Sequence, residues 1–321
     1  MNYENINADT AHRLKLLNER IKEAGIPSSS LDESLNVATW NIRDFGKTSR
    51  SDDAILFIAQ ILFQFDLIAI TELRDDLSDF KRVLDRLGPH WKFVMSDWQN
   101  DWGGNWERTA IIYDERMVDF TGLAAEAQPD RYKMEGNYYS ETTWWRSPYF
   151  ASFQSGNFDF VLMVMHARWG TTDGRKDELE SFGNWIKQRW EDKADKVFDD
   201  DLILVGDFNI PKVGDKFYKS LTGKSKLKMP KSIEGIKDTA ASPGNKRYDQ
   251  ILHRSLDDFP ISFADHGGVI DFAKGNLMEA LFPGVESEKL TWQLSDHFPL
   301  WVQVLTDNET QCLDRIIQSG M

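Results

Sequence analysis

Residues 201–215 read DLILVGDFNIPKVGD. Leu202 to Val205 form an unbroken apolar run, Gly206 ends it, and Asp207 and Asn209 follow two residues apart before Pro211 and Gly214. A short apolar run bounded by turn formers is the pattern of a buried strand. Its end presents a carboxylate and a carboxamide on one side, with Phe208 between them directed back toward the core, because successive side chains alternate along an extended chain.

The same arrangement recurs along the sequence. Asn41 follows VATW, Glu72 follows LIAIT, and His166 follows FVLMVM; Asp296 and His297 stand just before FPLWVQV. Apolar runs at 35–42, 66–73, 91–96, 108–114, 148–154, 158–166, 202–206, 248–252 and 298–305 read as strands. Apolar residues at helical spacing predict helices over 52–65 (Ile55, Ile58, Leu62, Phe65), 76–88 (Leu77, Phe80, Leu84, Leu87) and 174–193 (Leu179, Phe182, Ile186, Trp190). Mixed strands with intervening helices define an α/β domain, and no linker interrupts 34–305.

An amphipathic helix is predicted over 10–24, capped by Asp9 or Thr10 and stopped by Gly25 and Pro27. With the SSS that follows, residues 1–33 read as a helical extension and linker. The tail 306–321 carries an LDRII cluster that suits a short closing helix. Segment 212–246 holds nine lysines with much Ser and Gly, and reads as a long basic loop.

Composition narrows the function. Twelve Trp and twenty Phe predict a large aromatic core, and a formal charge of −14 argues against coating nucleic acid by bulk charge. A single cysteine, Cys312, offers no intramolecular disulfide, so a reducing compartment is expected. The N-terminal stretch has no apolar core of a signal peptide, and no run is long enough to span a bilayer. These readings together predict a cytoplasmic protein without a membrane partner; oligomeric state is not legible. No GxxxxGK[ST] loop and no Cys/His zinc cluster occurs.

What does occur is a set of hard oxygen donors and two imidazoles at strand ends. Glu72 and Asp296, with Asn41, Asp207 or Asn209, suit Mg²⁺ or Mn²⁺. His166 and His297 suit proton transfer near neutral pH.

In order along the chain, NIRDFG (41–46), TELRDD (71–76), WERTAIIYD (106–114), MHARWG (165–170), VGDFN (205–209), YDQIL (248–252) and LSDHFP (294–299) resemble the endonuclease/exonuclease/phosphatase superfamily, most closely its deoxyribonuclease I branch. The resemblance spans roughly 35–305. It implies a four-layer α/β sandwich, two mixed β-sheets flanked by helices, and divalent-metal-dependent phosphodiester hydrolysis. It further implies Glu72 as principal metal ligand with Asn41 and Asp296 nearby, and Asp207 and Asn209 holding metal, water or the scissile phosphate. His166 and His297 would flank the phosphorus, partnered by Glu107 and Asp249. Arg43, Arg74 and Arg146 stand where the branch approaches DNA phosphates. Trp106 or Asn105 stands where that branch has a tyrosine packed on a sugar.

The expected function is a DNA endonuclease, with RNA left open as substrate. The alternatives are a phosphatase or phosphodiesterase acting on a small phosphate, a phosphoinositide or a phospholipid head group, and a non-catalytic nucleic-acid-binding protein of the same fold.

Overall fold

The computed structural model describes residues 1–140, 142–192, 199–241, 244, 246–255, 261–307, 309, 313 and 317. Most of the tail expected to form a closing helix lies outside the described residues, as does Cys312.

In chain order the regular elements begin with α1 (Ala8–Glu23), β1 (Ser34–Phe45), α2 (Asp52–Leu62), β2 (Leu67–Leu73), α3 (Ser78–Leu87), β3 (Trp91–Met95) and β4 (Arg108–Asp114). There follow β5 (Asp119–Glu126), β6 (Tyr132–Met134), β7 (Asn137–Tyr139), β8 (Tyr149–Ser155), β9 (Phe158–His166), α4 (Thr172–Glu191), β10 (Leu202–Asp207) and α5 (Lys216–Ser225). The chain closes with β11 (Asp249–Arg254), β12 (Phe263–Val269), α6 (Leu277–Leu281) and β13 (Leu300–Leu305).

One sheet runs β12-β13-β1-β2-β4-β3 and the other β11-β10-β9-β8-β5, with β6 and β7 pairing as a separate hairpin. Each sheet has one parallel pair, β1 with β2 and β10 with β9, among antiparallel neighbours, so both are mixed. Both sheets bury both faces, which is why their central strands are continuous apolar runs. In β10, Ile203 and Val205 face the other sheet, where they meet Val37, Leu67 and Ile111. Leu202 and Leu204 face outward against Leu179, Phe182 and Ile186 of α4 and Phe217 and Leu221 of α5. The outer face of the first sheet, Trp40, Ile42, Ile68 and Ile70, is covered by α1, α2, α3 and α6. Helix, sheet, sheet, helix is the expected four-layer sandwich.

The helix of the N-terminal extension docks on the domain. Leu14, Leu17 and Ile21 of α1 are buried in the same apolar cluster as α2 and α6, and Arg13 bonds the Leu281 carbonyl (2.8 Å) and Asp53 (2.7 Å). The cap of α1 is Asn7, whose side chain accepts from the Thr10 amide, and not Asp9 or Thr10. Segment 212–246 is not a loop throughout, because it contains α5, capped by Asp215 and anchored by Phe217 and Leu221 at i, i+4. Strands β5 and β12 and the β6–β7 hairpin were also absent from the sequence reading. β5 and β12 are sheet edges rich in Gly, Ala and exposed positions, which carry little periodicity.

No helix among the described residues is long and apolar enough to cross a membrane.

Candidate active site

The register of the second sheet builds one wall. Asp207 ends β10 directly beside His166 at the end of β9 and opposite Asp249 at the start of β11. Three ionisable groups from residues 166, 207 and 249 therefore stand in a row across three strands. Gly206 makes this row possible: its φ is +133°, and a Cβ there would sit 2.0 Å from the Met165 carbonyl oxygen. Asn209 takes a left-handed conformation (φ 52°) and turns back, its backbone N–H donating to Asp207 (2.8 Å) and its side-chain amide to the Ala167 carbonyl (2.8 Å).

The first sheet builds the facing wall. Both pairings of β2 lose register near Glu72, and Glu72 itself has φ 62°. Strained backbone at a non-glycine residue is held by its surroundings and clusters at functional positions. Here the Asn41 amide donates to Glu72 Oε1 (2.9 Å) and the Asp44 N–H to Oε2 (2.8 Å). The same Asn41 amide reaches across to Asp207 Oδ2 (3.1 Å), joining the two sheets at their rims.

Each histidine has a buried carboxylate behind it. His166 Nδ1 lies 2.9 Å from Glu107 Oε2, and His297 Nδ1 lies 2.8 Å from Asp249 Oδ2. The two Nε2 atoms face the same Asp207 oxygen, at 3.7 and 3.8 Å. A carboxylate on Nδ1 holds the Nδ1–H tautomer and leaves Nε2 directed at the cleft. Burial raises the Glu107 carboxyl, but His166, Arg146 and Arg74 outweigh it and bring it down to about 2. Burial disfavours the His297 imidazolium, yet Asp249, Asp207 and Asp296 push the group up to about 10. Burial also pushes the Asp249 carboxyl up despite the His297 imidazole 2.8 Å away.

His297 is fixed from behind. Trp40 Nε1 donates to the His297 carbonyl (2.8 Å) and Ser295 Oγ accepts its amide (3.0 Å) while donating to the Asn41 carbonyl (2.6 Å). Ser295 is fully buried and had no role in the sequence reading, although it lies inside the quoted LSDHFP. Thr239 and Ala241 pair with Phe298 and Asp296, and Thr239 Oγ1 accepts the Asp249 amide (3.1 Å). Segment 212–246 therefore braces the site. None of its described residues lines the cleft.

The cleft itself has a volume of about 500 Å³ and gathers Glu72, Asn105, Glu107, Arg146, His166, Asp207, Asn209, Asp296 and His297. The remaining expected residues divide. Asn41 is buried beneath Glu72. Arg43 stacks on Trp292 (4.0 Å) and bonds Thr291 (2.6 Å), with Asp296 at 3.8 Å. Arg74 is buried, bonded to Asp44 and to the Asn105 carbonyl, with Glu107 at 3.7 Å. Arg146 lines the cleft and is held by Glu107 (2.8 Å). Trp106 stands behind the cleft wall, edge-on to Trp102 at 5.0 Å. Trp102, Trp145, Trp169 and Tyr248 line the cleft and were not picked out as site residues.

Two donor sets could hold a cation. Glu72, Glu107 and His166 each offer an atom within 4.8 Å of the others. Glu107, however, already faces an imidazole and two guanidinium groups, which makes it a poor cation ligand. Among the described residues no cationic side chain is bonded to Glu72. Beside it, Asn41 Oδ1 is buried with no hydrogen-bond donor, because its amide is turned toward Glu72 and Asp207. An orphaned carbonyl oxygen next to a carboxylate fits a hard divalent cation.

The chain belongs to the Endonuclease/Exonuclease/phosphatase family, which residues 38–319 match; it is a hydrolase of that family. Human deoxyribonuclease gamma is 25% identical over 286 residues, covering 83% of this chain and 85% of that protein. Human deoxyribonuclease-1 is 24% identical over 304 residues, covering 91% and 99%. Among solved structures, an endonuclease/exonuclease/phosphatase family protein from Bacteroides thetaiotaomicron shares the fold with a TM-score of 0.57 at 19% identity, covering 86% of this chain and 99% of that one.

Proposed function

We propose that this chain is a Mg²⁺-dependent phosphodiesterase that cuts DNA internally. The observation that carries the reading is the pair of carboxylate-backed imidazoles whose Nε2 atoms converge on Asp207. Relatives named as deoxyribonucleases support the choice of substrate.

A phosphodiester is an anion, so attack by water needs both a base to deprotonate it and a proton for the departing oxygen. His166 and His297 divide these tasks. Glu107 and Asp249 fix the tautomer and orientation of each ring. Glu72, Asn41 and Asp296 would hold the divalent cation, which when bound offsets negative charge growing on the phosphoryl oxygens. Asp207 and Asn209 orient water or phosphate between the two rings, and Arg146 adds positive charge at the cleft wall.

The test is nicking of supercoiled plasmid with Mg²⁺, with and without a chelator, run beside phosphate release from small esters. Nicking that the chelator stops is the expected result. Ester hydrolysis with intact plasmid would assign the cleft to small phosphates instead.

A further inference from the structure

Two of the twelve tryptophans are exposed, Trp102 at 88% and Trp169 at 56%, and both line the cleft. An isolated exposed apolar side chain is ordinary. Two indoles at the mouth of a cleft whose floor is carboxylate and imidazole are a specific arrangement. They belong to different halves of the site. Trp102 meets Trp106, the chain neighbour of Glu107; Trp169 meets Tyr248 edge-on (5.6 Å), and Tyr248 lies 6.0 Å from His297 and adjoins Asp249. Arg175 backs Trp169 at 4.6 Å, so a guanidinium group holds that ring in place, and Arg168 does the same for the neighbouring cleft residue Trp145 at 4.2 Å.

The cations around the cleft point the same way. Gripping a duplex requires basic side chains able to reach phosphates. Arg43 is engaged with Trp292, Thr291 and Asp296, Arg74 is buried on Asp44, and Arg146 is paired with Glu107. The chain carries a formal charge of −14. With these three arginines engaged, the faces of bases offer affinity for a strand, and they are available only when bases are unpaired.

We propose that the cleft takes single-stranded nucleic acid, with Trp102 and Trp169 as base-stacking platforms on either side of the hydrolytic centre. This rests on the nuclease reading and adds the substrate class to it.

The test compares a labelled oligothymidylate with a duplex of the same length, using the full chain, Trp102→Ala, Trp169→Ala and Trp102→Phe. In Mg²⁺ the native protein is expected to cut the single strand at least about tenfold more efficiently than the duplex. Each alanine variant should raise KM for the single strand about tenfold, as loss of one stacking contact implies, with kcat within about twofold; Trp102→Phe should recover most of the loss. In EDTA, oligothymidylate should quench tryptophan fluorescence in the native protein, and less in each alanine variant. Equal cutting of duplex and single strand, or unchanged KM in both alanine variants, overturns the stacking proposal and leaves the nuclease reading standing. If neither DNA is cut, the nuclease reading falls, and the EDTA titration alone decides: no quenching overturns the proposal as well.

Discussion

Glu107→Gln removes one charge and almost no volume from the centre of the site. The carboxylate is 2% exposed and faces His166 Nδ1 (2.9 Å), Arg146 Nε (2.8 Å) and Arg74 Nη2 (3.7 Å). Burial alone would raise its pKa; His166 and the two guanidinium groups instead lower it from 4.5 to about 2. At 1.36 kcal/mol per pKa unit that fall corresponds to about 3 kcal/mol of folding stability. An independent route gives a similar figure, since deleting one partner of a buried ion pair typically costs about 3–5 kcal/mol.

The folded value lies below the unfolded one, so this stabilisation is complete above about pH 4.5 and disappears as pH falls toward 2. The variant lacks it at every pH. Urea unfolding at pH 7 should therefore show Glu107→Gln less stable by about 3 kcal/mol, with under about half of that gap remaining at pH 3. Glutamine can still accept from His166 Nδ1 but no longer carries the charge that balances an imidazolium. Turnover should fall by about 10²–10⁴, the usual contribution of positioned proton transfer. A variant as stable as the native protein at pH 7, or a gap that does not narrow in acid, would refute the claim that this carboxylate holds His166 and two guanidinium groups. A folded variant with full turnover would refute its control of His166.

Other outcomes follow from the same contacts. His166→Ala and His297→Ala should each lower turnover by about 10²–10⁴, but their melting curves should differ. Glu107 keeps Arg146 and Arg74 when His166 is lost, whereas Asp249, fully buried, loses its imidazole when His297 is removed. His297→Ala should thus melt lower than His166→Ala, and the reverse order would count against the pairing. Glu72→Gln should raise the Mg²⁺ concentration for half-maximal rate at least about tenfold and shrink the rise in melting temperature on adding Mg²⁺; unchanged titrations would remove Glu72 from the ligand set. Leu17→Ala should cost about 2–5 kcal/mol in urea unfolding, because Leu17 is fully buried beneath the outer helical layer. A change near zero would restore α1 to the status of a separable extension.

The sandwich was legible because its central strands announce themselves. Runs such as LILV and FVLMVM are apolar on consecutive residues, which a strand buried on both faces requires. The edge strands gave no such signal. β5 reads DFTGLAAE and β12 reads FADHGGV, with glycines inside and solvent on one side. Helix α5 was hidden by lysines and serines, although Phe217 and Leu221 at i, i+4 were a usable sign. The position of α1 depended on a partner surface formed by α2 and α6, and a narrow apolar stripe does not name its partner.

In the site, residue type was legible and residue engagement was not. Strand ends told which side chains stand on the rim, and the register brought His166, Asp207 and Asp249 into line. Whether an arginine is available depends on what it touches, and Arg43 and Arg74 found Trp292 and Asp44 at home. The Trp-rich loop 98–106 suggests base stacking from sequence, but DWGGNW reads the same whether a given indole packs inward or stands exposed at the cleft, as Trp102 does.

The charges at the cleft carry one more step. Glu72, Glu107, Asp207, Asp249 and Asp296 converge there. Glu107 is offset by Arg146 and Arg74, Asp249 faces His297 Nδ1 at 2.8 Å, and Asp296 is 3.8 Å from Arg43. Asp207 faces the two imidazole Nε2 atoms at 3.7 and 3.8 Å, whereas Glu72 is bonded, among the described residues, to the Asn41 amide and the Asp44 N–H, which supply dipoles where a full positive charge is needed. A phosphodiester approaching Glu72 meets repulsion that these dipoles do not cancel. The orphaned Asn41 Oδ1 lies at that same place, so the charge deficit and the vacant acceptor make one demand, for a hard divalent cation beside Glu72.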